Sequence, residues 1–326
     1  MTRTLNANAL THSQGFYKAN ADAVAFSKTG SFSVSTATRL AVEVGGQAID
    51  LAALTAVDMP ASPVAGTDYA IWLQPDGTLQ ASTSHTSAPV SGSRKIGGFH
   101  YAPGGNATGT SGGNTTPQIN EYSFWDLKFR PACPDPRGMA LIADGFWCDI
   151  YLTGVDAITN GTSKYNVTMA DGSSPPKIPS QHGGDGTTTY GSFTWFEAME
   201  LAAAFGKRAM TQQEFMAAAY GSTQASSIGS DQVSTILNAA YTSRWGIIQA
   251  TGVLWTWGRQ RGGAKSSSAN TEGRGYETDA PNASLFGGSW SNSSDSGSRA
   301  SVWSGAASGS YSGIGLRAAC DHLQLV

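Results

Sequence analysis

The sequence predicts a mixed α+β protein, in which a β-rich first part precedes a second part that contains the helices. Glycine accounts for 40 of the 326 residues and only 13% of the residues are charged, which is typical of short strands joined by turns. Apolar and polar residues alternate in the first part, whereas the helix-capping signals fall in the second part. Because the chain is longer than most single domains, two domains are expected.

The β-rich part is predicted to extend over residues 16–128. Phe32, Val34 and Thr36 alternate with serines, as in a strand that buries one face. The segment Gln74–Gly77 separates two apolar runs and contains Pro-Asp-Gly, which favours a hairpin turn. This pattern repeats in several short runs, so an all-β domain is expected here.

Two segments of the first part lack periodic patterns. Residues 1–15 are polar and are predicted to form a tail. Residues 103–118 are rich in Gly, Asn and Thr and are predicted to form a mobile loop. A cluster of prolines follows at Pro131, Pro134 and Pro136, and marks the start of the second domain because each proline interrupts regular structure.

The second part contains two predicted helices. Thr194–Glu197 and Thr211–Glu214 both have the T-x-x-E spacing of a capping box. The first helix is predicted to place Phe196, Met199 and Ala203 on one face. The remainder of this part consists of short segments rich in Trp, Gly and Ser, which indicates much irregular backbone.

The composition excludes several classes of function. The formal net charge is −3 and no basic cluster occurs, so no nucleic-acid partner is expected. Apolar runs fall short of about 18 residues, so no membrane insertion is expected. The start of the chain lacks the apolar stretch of a secretory signal. The three cysteines, Cys133, Cys148 and Cys320, have neither the number nor the spacing of a disulfide scaffold or a zinc site.

Long runs of sequence stand in a distinctive order over residues 16–326: GGFHYAPGGN, GGNTTPQINEYSFWDLKFRP, DPRGM, TSKYNVTMADGS, WGIIQATGVLWTWG, LFGGSW, SGSRA and CDHL. In this order they resemble the phage major tropism determinants, a family of receptor-binding proteins diversified by a retroelement. The resemblance implies an N-terminal β-sandwich over residues 16–128, followed by a C-type-lectin-fold domain over residues 129–326. Members of the family begin with a β-prism, which this chain is expected to lack, leaving residues 1–15 as a tail.

The second domain also resembles the formylglycine-generating enzymes, which implies a lectin fold of that type. The similar motifs are Lys207-Arg208, Thr211-x-x-Glu214-Phe215, Trp255–Gly258, Gly287–Trp290 and Gly315–Arg317. An oxidase of this kind is the alternative function. That chemistry needs reactive cysteines in the last loops, and residues 292–298 contain none, so an enzyme is not expected.

The resemblance to the tropism determinants implies a variable region at about residues 289–314. In that family, adenine-directed mutagenesis alters codons derived from Asn at scattered positions between constant anchors. The corresponding ligand-binding positions here are Ser289, Ser291, Asn292, Ser293, Asp295, Val302, Ser304, Gly305, Gly309, Tyr311, Gly313 and Ile314. The anchors, expected to form a framework, are Trp290, Arg299, Trp303 and Arg317. Such codons cannot yield Lys, Glu, Gln, Met or Trp, and none of these occurs at the twelve positions.

A surface of this composition favours recognition rather than catalysis. Small polar residues with a tyrosine resemble an antibody paratope, in which Tyr311, Val302 and Ile314 would be the main apolar contacts and Asp295 the one charge. The implied partners are a host bacterial surface protein, other tail-fibre proteins and further copies of the chain in a homotrimer. The implied location is the tip of a phage tail fibre.

Other readings of single motifs are weaker. Gln74-Pro75-Asp76 matches a sugar-binding triplet of lectins but lies in a turn of the first domain. In the triplet Cys320-Asp321-His322, Cys320 is better explained as a small buried hydrophobe than as a nucleophile paired with the histidine. No cofactor is expected. A structural calcium or magnesium ion stays open at three loop aspartates, Asp144, Asp171 and Asp185.

Overall fold

A computed structural model of the chain describes residues 15–262, 269–270, 276–277 and 282–325. The described chain is mostly β with few helices, as the composition predicts. Apart from Gly15, the predicted tail over residues 1–15 lies outside the described residues. The chain divides into two compact units: the first is Met1–Pro103, Pro117–Ala132 and Asp321–Val326, and the second is Gly104–Thr116 and Cys133–Cys320.

The first unit is built from short antiparallel strands. One sheet has the order β1-β4-β5, a second has the order β10-β8-β6-β7 with β9 paired to β8, and β2 pairs with β3. The strands are β1 (Phe16–Lys18), β2 (Phe26–Gly30), β3 (Ser33–Thr36), β4 (Leu40–Val44), β5 (Gln47–Leu51), β6 (Thr67–Leu73), β7 (Leu79–Ser82), β8 (Arg94–Ala102), β9 (Gln118–Ile119), β10 (Trp125–Asp126) and β11 (Phe129–Pro131).

The alternating residues of these strands build one hydrophobic core. Phe16, Leu40 and Phe99 are almost completely buried within it, and β4 alternates buried and exposed residues along its length. The predicted hairpin at Gln74–Gly77 is confirmed, because β6 and β7 pair across it. Gly77 adopts a φ of +93°, which glycine tolerates without steric cost.

The Gly-rich segment predicted to be a mobile loop belongs to the second unit over Gly104–Thr116. Backbone hydrogen bonds explain this difference. Gly105 and Asn114 bond to each other in both directions, and Gly112 N donates to Gly221 O at 2.9 Å. A Cβ at Gly112 would lie 2.3 Å from the Ala240 carbonyl oxygen, so the glycines permit close backbone contact rather than disorder.

The second unit contains the α-helices, two larger sheets and one two-stranded sheet. Its helices are α1 (Ala157–Asn160), α2 (Trp195–Ala204) and α3 (Gln212–Ala218). Its strands are β12 (Met139–Ile142), β13 (Phe146–Asp149), β14 (Arg208–Ala209), β15 (Trp255–Gly262), β16 (Ala269–Asn270), β17 (Tyr276–Glu277), β18 (Asn282–Phe286), β19 (Ser301–Ala306), β20 (Ile314–Gly315) and β21 (Ala318–Gln324).

The sheets of the second unit bring distant segments together. One has the order β19-β18-β15-β20, in which β20 runs parallel to β15 and the other pairs are antiparallel. In the other, β21 lies between β13 and β14, and β13 continues to β12. The last residues of β21 belong to the first unit, where they pair with β11.

Both predicted capping boxes are present. The hydroxyls of Thr194 and Thr211 accept backbone hydrogen bonds at the starts of α2 and α3, and the glutamates three positions later bond back to the capping residues. Ala198, Leu201 and Ala202 of α2 are buried, whereas Phe196 and Met199, two of the residues predicted to share one face, are partly buried against the same core and Ala203 is exposed. In the part of the chain that the structure describes, no helix is long and apolar enough to span a membrane.

Candidate functional site

The twelve predicted ligand-binding positions all lie in the second unit, on three consecutive segments. The first segment is the loop after β18, which contains Ser289–Asp295. The second is β19, which pairs with β18. The third is the loop that leads into β20, where Ile314 pairs with Trp255 of β15. The paired strands β18 and β15 lie in the middle of the sheet and therefore support the three segments.

Positions from the first and third segments are in contact. Ser289 Oγ and its backbone N–H both donate to Asn292 Oδ1, at 2.6 and 2.8 Å. Ser289 Oγ also lies 3.2 Å from Ser291 Oγ. A Cβ placed on Gly313 would lie 3.4 Å from Ser289 Cβ, in ordinary contact. These four positions therefore lie together, with Ser289 buried beneath the more accessible Ser291, Asn292 and Gly313.

Tyr311 is the large exposed side chain of the third segment, with 56% of its surface accessible. Its backbone is held by neighbours from elsewhere in the unit: Gly172 N donates to Tyr311 O at 3.0 Å. Trp195 N donates to Ala307 O at 3.0 Å, and Phe193 N donates to Ser310 Oγ at 2.9 Å. A loop held by hydrogen bonds thus presents an exposed aromatic side chain.

The second segment contains an irregularity in the pairing of β18 with β19. Leu285 pairs with Val302 and Ala283 with Gly305, so β19 has one more residue than its partner between these pairs. Such a bulge changes the direction in which side chains point. Val302 packs against the core whereas Ser304 is exposed.

Ten of the twelve positions are exposed or partly exposed, and two are buried. Ser289 is 5% accessible because its polar atoms are engaged by Asn292. Ile314 is 7% accessible because its side chain belongs to the core cluster around Trp257 and Leu316. The expectation that Ile314 is a main apolar contact is therefore corrected, and Val302 offers only part of its surface.

The expected framework residue Arg317 is buried and spans two loops. Its Nη1 donates to the carbonyl oxygens of Asp149 and Ile150 at 3.0 and 2.7 Å. Its Nη2 donates to the carbonyl oxygens of Ile248 and Gln249 at 2.7 and 2.9 Å. A planar guanidinium suits this arrangement, since its donors diverge in one plane.

Trp290 is also held in place. Its backbone N–H donates to Val253 O at 2.9 Å, and its carbonyl oxygen accepts from Gly229 N and from Ser227 Oγ. Its side chain packs on the small core cluster that includes Leu254. This tryptophan fixes the start of the first segment.

The other two expected framework residues are exposed rather than buried. Trp303 is 45% accessible and contacts Phe286 edge-on, with ring centroids 6.3 Å apart. Arg299 is exposed and lines a cavity of about 300 Å³. The other lining residues are Met216, Ala217, Tyr220, Trp245 and Ser298.

Part of the framework was not predicted because it consists of small polar residues. Ser227 Oγ accepts from Ser293 N at 2.9 Å while it donates to Trp290 O. Gln224 Oε1 accepts from Ser298 N at 2.9 Å and from Ser298 Oγ at 3.0 Å. Such residues carry no periodic signal, and their partners lie about 70 positions away, so sequence patterns could not identify them.

The site carries little charge. Asp295 is exposed at the surface of the first segment. Of the loop aspartates, Asp185 accepts hydrogen bonds from Thr187 and Thr188, which hold the pKa of its carboxyl well below the usual range. Asp171 accepts from Ser173 N and Ser174 N, while partial burial raises its pKa. Among residues 15–262, 269–270, 276–277 and 282–325, no cluster of three His, Cys, Asp or Glu could hold a metal ion.

Known proteins similar to this chain cover nearly all of it. The family model described as "Mtd second domain" matches residues 24–126. The tail fiber receptor-binding protein of Bordetella phage BPP-1 is 49% identical over an alignment of 326 residues, which covers 95% of this chain and 85% of that protein.

Solved structures agree with the sequence match. The P3c variant of the major tropism determinant superposes with a TM-score of 0.93 at 48% identity, and the M1 variant with 0.94 at 46% identity. Each match covers 98% of this chain and 89% of the solved one. With a relative at 49% identity over most of its length, the chain belongs to the family of the major tropism determinants.

Proposed function

We propose that the protein is a phage receptor-binding protein that recognises a host cell-surface protein through the accessible positions of residues 289–313. This proposal rests on the contrast between side chains that are exposed and a backbone that is held in place by hydrogen bonds. Small or adaptable side chains such as Ser291, Ser304 and Tyr311 are exposed, while the backbone at Tyr311 and at Trp290 is held by hydrogen bonds from other elements. Family membership supports the same function, since a 49% identical relative is named a tail fiber receptor-binding protein.

The chemistry of this surface suits binding. Tyr311 supplies contact area with few rotatable bonds, and the surrounding serines and Asn292 supply adaptable hydrogen-bond donors and acceptors. With Tyr311 as the one large exposed side chain among the predicted ligand-binding positions, a single copy would bind with modest affinity. We propose that the chain acts as a homotrimer, in which avidity raises the binding strength by ~10² to 10⁴ when several receptor copies are within reach.

We also propose a specific fold for each of the two units. The strands of the first unit would form the β-sandwich over residues 16–128, and the second unit the C-type lectin fold of the formylglycine-generating type over residues 129–326. The protein would be located at the tip of the tail fibre beside other tail-fibre proteins, and would carry no catalytic activity. The burial of Cys133, Cys148 and Cys320 supports this last point, because an oxidase needs accessible thiols.

Binding of the labelled full-length chain to intact Gram-negative bacteria, a Bordetella strain among them, tests the proposal. Tyr311→Ala is expected to weaken binding at least tenfold without changing the melting temperature, since the side chain is exposed. Tyr17→Ala is the matched control, because Tyr17 is a comparably exposed tyrosine of the first unit. Equal binding by Tyr311→Ala and the unchanged chain, or binding to no strain, would contradict the proposal.

A further inference from the structure

Two of the three cysteines lie where a pair of antiparallel strands ends: Cys133 follows β11, and Cys320 belongs to β21. In the ladder between β11 and β21, Phe129 pairs with Gln324 and Pro131 pairs with His322. The ladder continues, because Ala132 N donates to Asp321 O at 2.9 Å. The next pair in this register is Cys133 with Cys320, and both belong to the second unit.

The hydrogen-bond pattern of the ladder identifies the kind of pair. Leu325 N donates to Lys128 O, and Ala132 N donates to Asp321 O, so every second pair is hydrogen-bonded. Extended by one pair, this alternation makes Cys133 and Cys320 the equivalent of a non-hydrogen-bonded pair, a type whose Cα atoms are typically about 4.5 Å apart. This separation lies within the range that a disulfide spans, about 4.4–6.8 Å.

The two thiols interact directly in a buried environment. Cys133 and Cys320 are 1% and 3% accessible. The hydrogen bond from the Cys133 thiol, aided by the nearby Lys207 ammonium, lowers the pKa of Cys320 although burial opposes this. The same hydrogen bond and burial raise the pKa of Cys133. Cys320 is thus the better nucleophile of the pair.

We propose that Cys133 and Cys320 form a site of reversible disulfide formation that joins the two ends of the segment Cys133–Cys320. The oxidant is a low-molecular-weight disulfide such as oxidised glutathione. The Cys320 thiolate attacks one sulfur of the reagent, forms a mixed disulfide and releases one reagent thiolate. The Cys133 thiolate then attacks the Cys320 sulfur, forms the Cys133–Cys320 bond and releases the second reagent thiolate.

The atoms and electrons of this exchange balance. The two cysteines lose two electrons, which reduce the reagent disulfide to two thiols, and the two cysteine protons pass to the leaving thiolates. Because both sulfurs are buried, the reagent reaches them when the strand pair opens locally or before the chain has folded. The proposal is independent of receptor binding and would hold for the chain in any role.

The third cysteine provides a matched control. Cys148 is completely buried in β13, where it pairs with Ala140 of β12 and its thiol lies 3.7 Å from Met210 Sδ. Burial raises the pKa of Cys148 to about 12. It therefore shares the burial of the pair but not the opposing thiol, and is expected to stay reduced.

The test uses the full chain refolded from urea in either reduced or oxidised glutathione, followed by alkylation in denaturant and peptide mass spectrometry. We expect a cross-linked peptide that contains Cys133 and Cys320 in the oxidised sample alone, with Cys148 alkylated in both. The oxidised chain is expected to melt at a temperature higher by on the order of 10 °C, since the bond closes a long loop.

Variants separate this proposal from general oxidation. Cys133→Ala and Cys320→Ala are expected to abolish the shift in melting temperature, whereas Cys148→Ala retains it. The peptide analysis of the unchanged chain does not depend on whether any variant folds. The proposal is overturned if both cysteines remain alkylatable after oxidation, if Cys320 carries only glutathione, or if Cys133→Ala shows the same shift.

Discussion

The Lys207 ammonium lies 2.6 Å from Oδ1 of Asp149 in the interior of the second unit, where it also contacts the Thr162 hydroxyl. Burial alone would lower the pKa of Lys207, but the adjacent Asp149 carboxylate outweighs this effect and holds the pKa above its ordinary value. The ion pair connects β13 to the segment between α2 and β14, and so joins the sheet to the helices.

Removal of one partner of this pair is expected to destabilise the protein strongly. Lys207→Met leaves the Asp149 carboxylate buried without its cation, which costs about 3–5 kcal/mol of unfolding free energy. Urea denaturation measures the change. Arg39→Met is the control, because Arg39 and Asp50 form an exposed pair whose loss should leave the urea midpoint almost unchanged. Similar midpoints for both variants would contradict the interpretation.

Arg317→Lys is expected to lower the unfolding free energy by about 3 kcal/mol although the positive charge is kept. A lysine ammonium cannot reach carbonyl oxygens on two loops at once, so buried acceptors lose their donors. Arg299→Lys, at an exposed arginine, is the comparison and should change stability little. Thermal and urea unfolding would show the difference, and tolerance of Arg317→Lys would refute the framework role.

Because of Glu214, the stability of the protein is expected to depend on pH in the acid range. Burial would raise the pKa of Glu214, but hydrogen bonds from Arg208 and from Thr211 N hold it below its ordinary value of 4.5. The folded state therefore binds this proton less readily than the unfolded state. The stabilisation is present above about pH 4.5 and is lost as the pH falls through the folded pKa.

The expected size of this effect is about 1 kcal/mol, since the pair is only partly buried. Unfolding free energies of the unchanged chain and Glu214→Gln, measured between pH 7 and pH 3, are expected to converge as the pH falls. A difference that stays constant over this range would show that Glu214 does not titrate as described.

Substitutions at two glycines of the site are expected to have separate effects on folding and on binding. A Cβ on Gly309 would lie 2.5 Å from Cε2 of the Tyr311 ring, whereas a Cβ on Gly313 meets nothing closer than 3.4 Å. Gly309→Ala is therefore expected to displace the Tyr311 side chain and weaken cell binding severalfold. Gly313→Ala should keep both the melting temperature and the position of Tyr311. Equal binding by the two variants would argue against a role for the orientation of Tyr311.

Because Ile314 is buried, its substitution is expected to reduce the stability of the protein rather than its recognition of a receptor. Ile314→Ala removes core contacts with the cluster around Trp257, which costs about 2–4 kcal/mol. Binding measured at a temperature where the variant is folded should fall less than threefold. A tenfold loss of binding by the folded variant would return Ile314 to the recognition surface.

Local signals in the sequence predicted local structure well. The hairpin at Gln74–Gly77 and both capping boxes are present, because turns and helix starts depend on a few neighbouring residues. The pattern of α2 did not indicate which of its alanines are buried. Alanines such as Ala198 and Ala202 allow the helix to approach the core closely, which the size of a side chain alone does not reveal.

Features that depend on distant contacts were harder to predict. The Gly-rich segment Gly104–Thr116 has a composition typical of a loop, yet its backbone bonds to residues more than 100 positions away. Ile314 is buried whereas Tyr311 is exposed, because Ile314 lies in a strand beside β15. No pattern near residue 314 indicates this pairing. The family resemblance predicted which positions belong to the site. Only the three-dimensional fold shows which of these positions are exposed.

The most direct test of the account is the binding of a variant with five exposed positions of the site changed to alanine: Ser291, Ser293, Asp295, Ser304 and Tyr311. The control changes five exposed residues of the first unit: Tyr17, Thr29, Asp58, Thr83 and Ser87. If these positions form the recognition surface, the first variant binds bacterial cells at least 100-fold more weakly than the control at an unchanged melting temperature. Binding by the two variants within threefold of each other would contradict it.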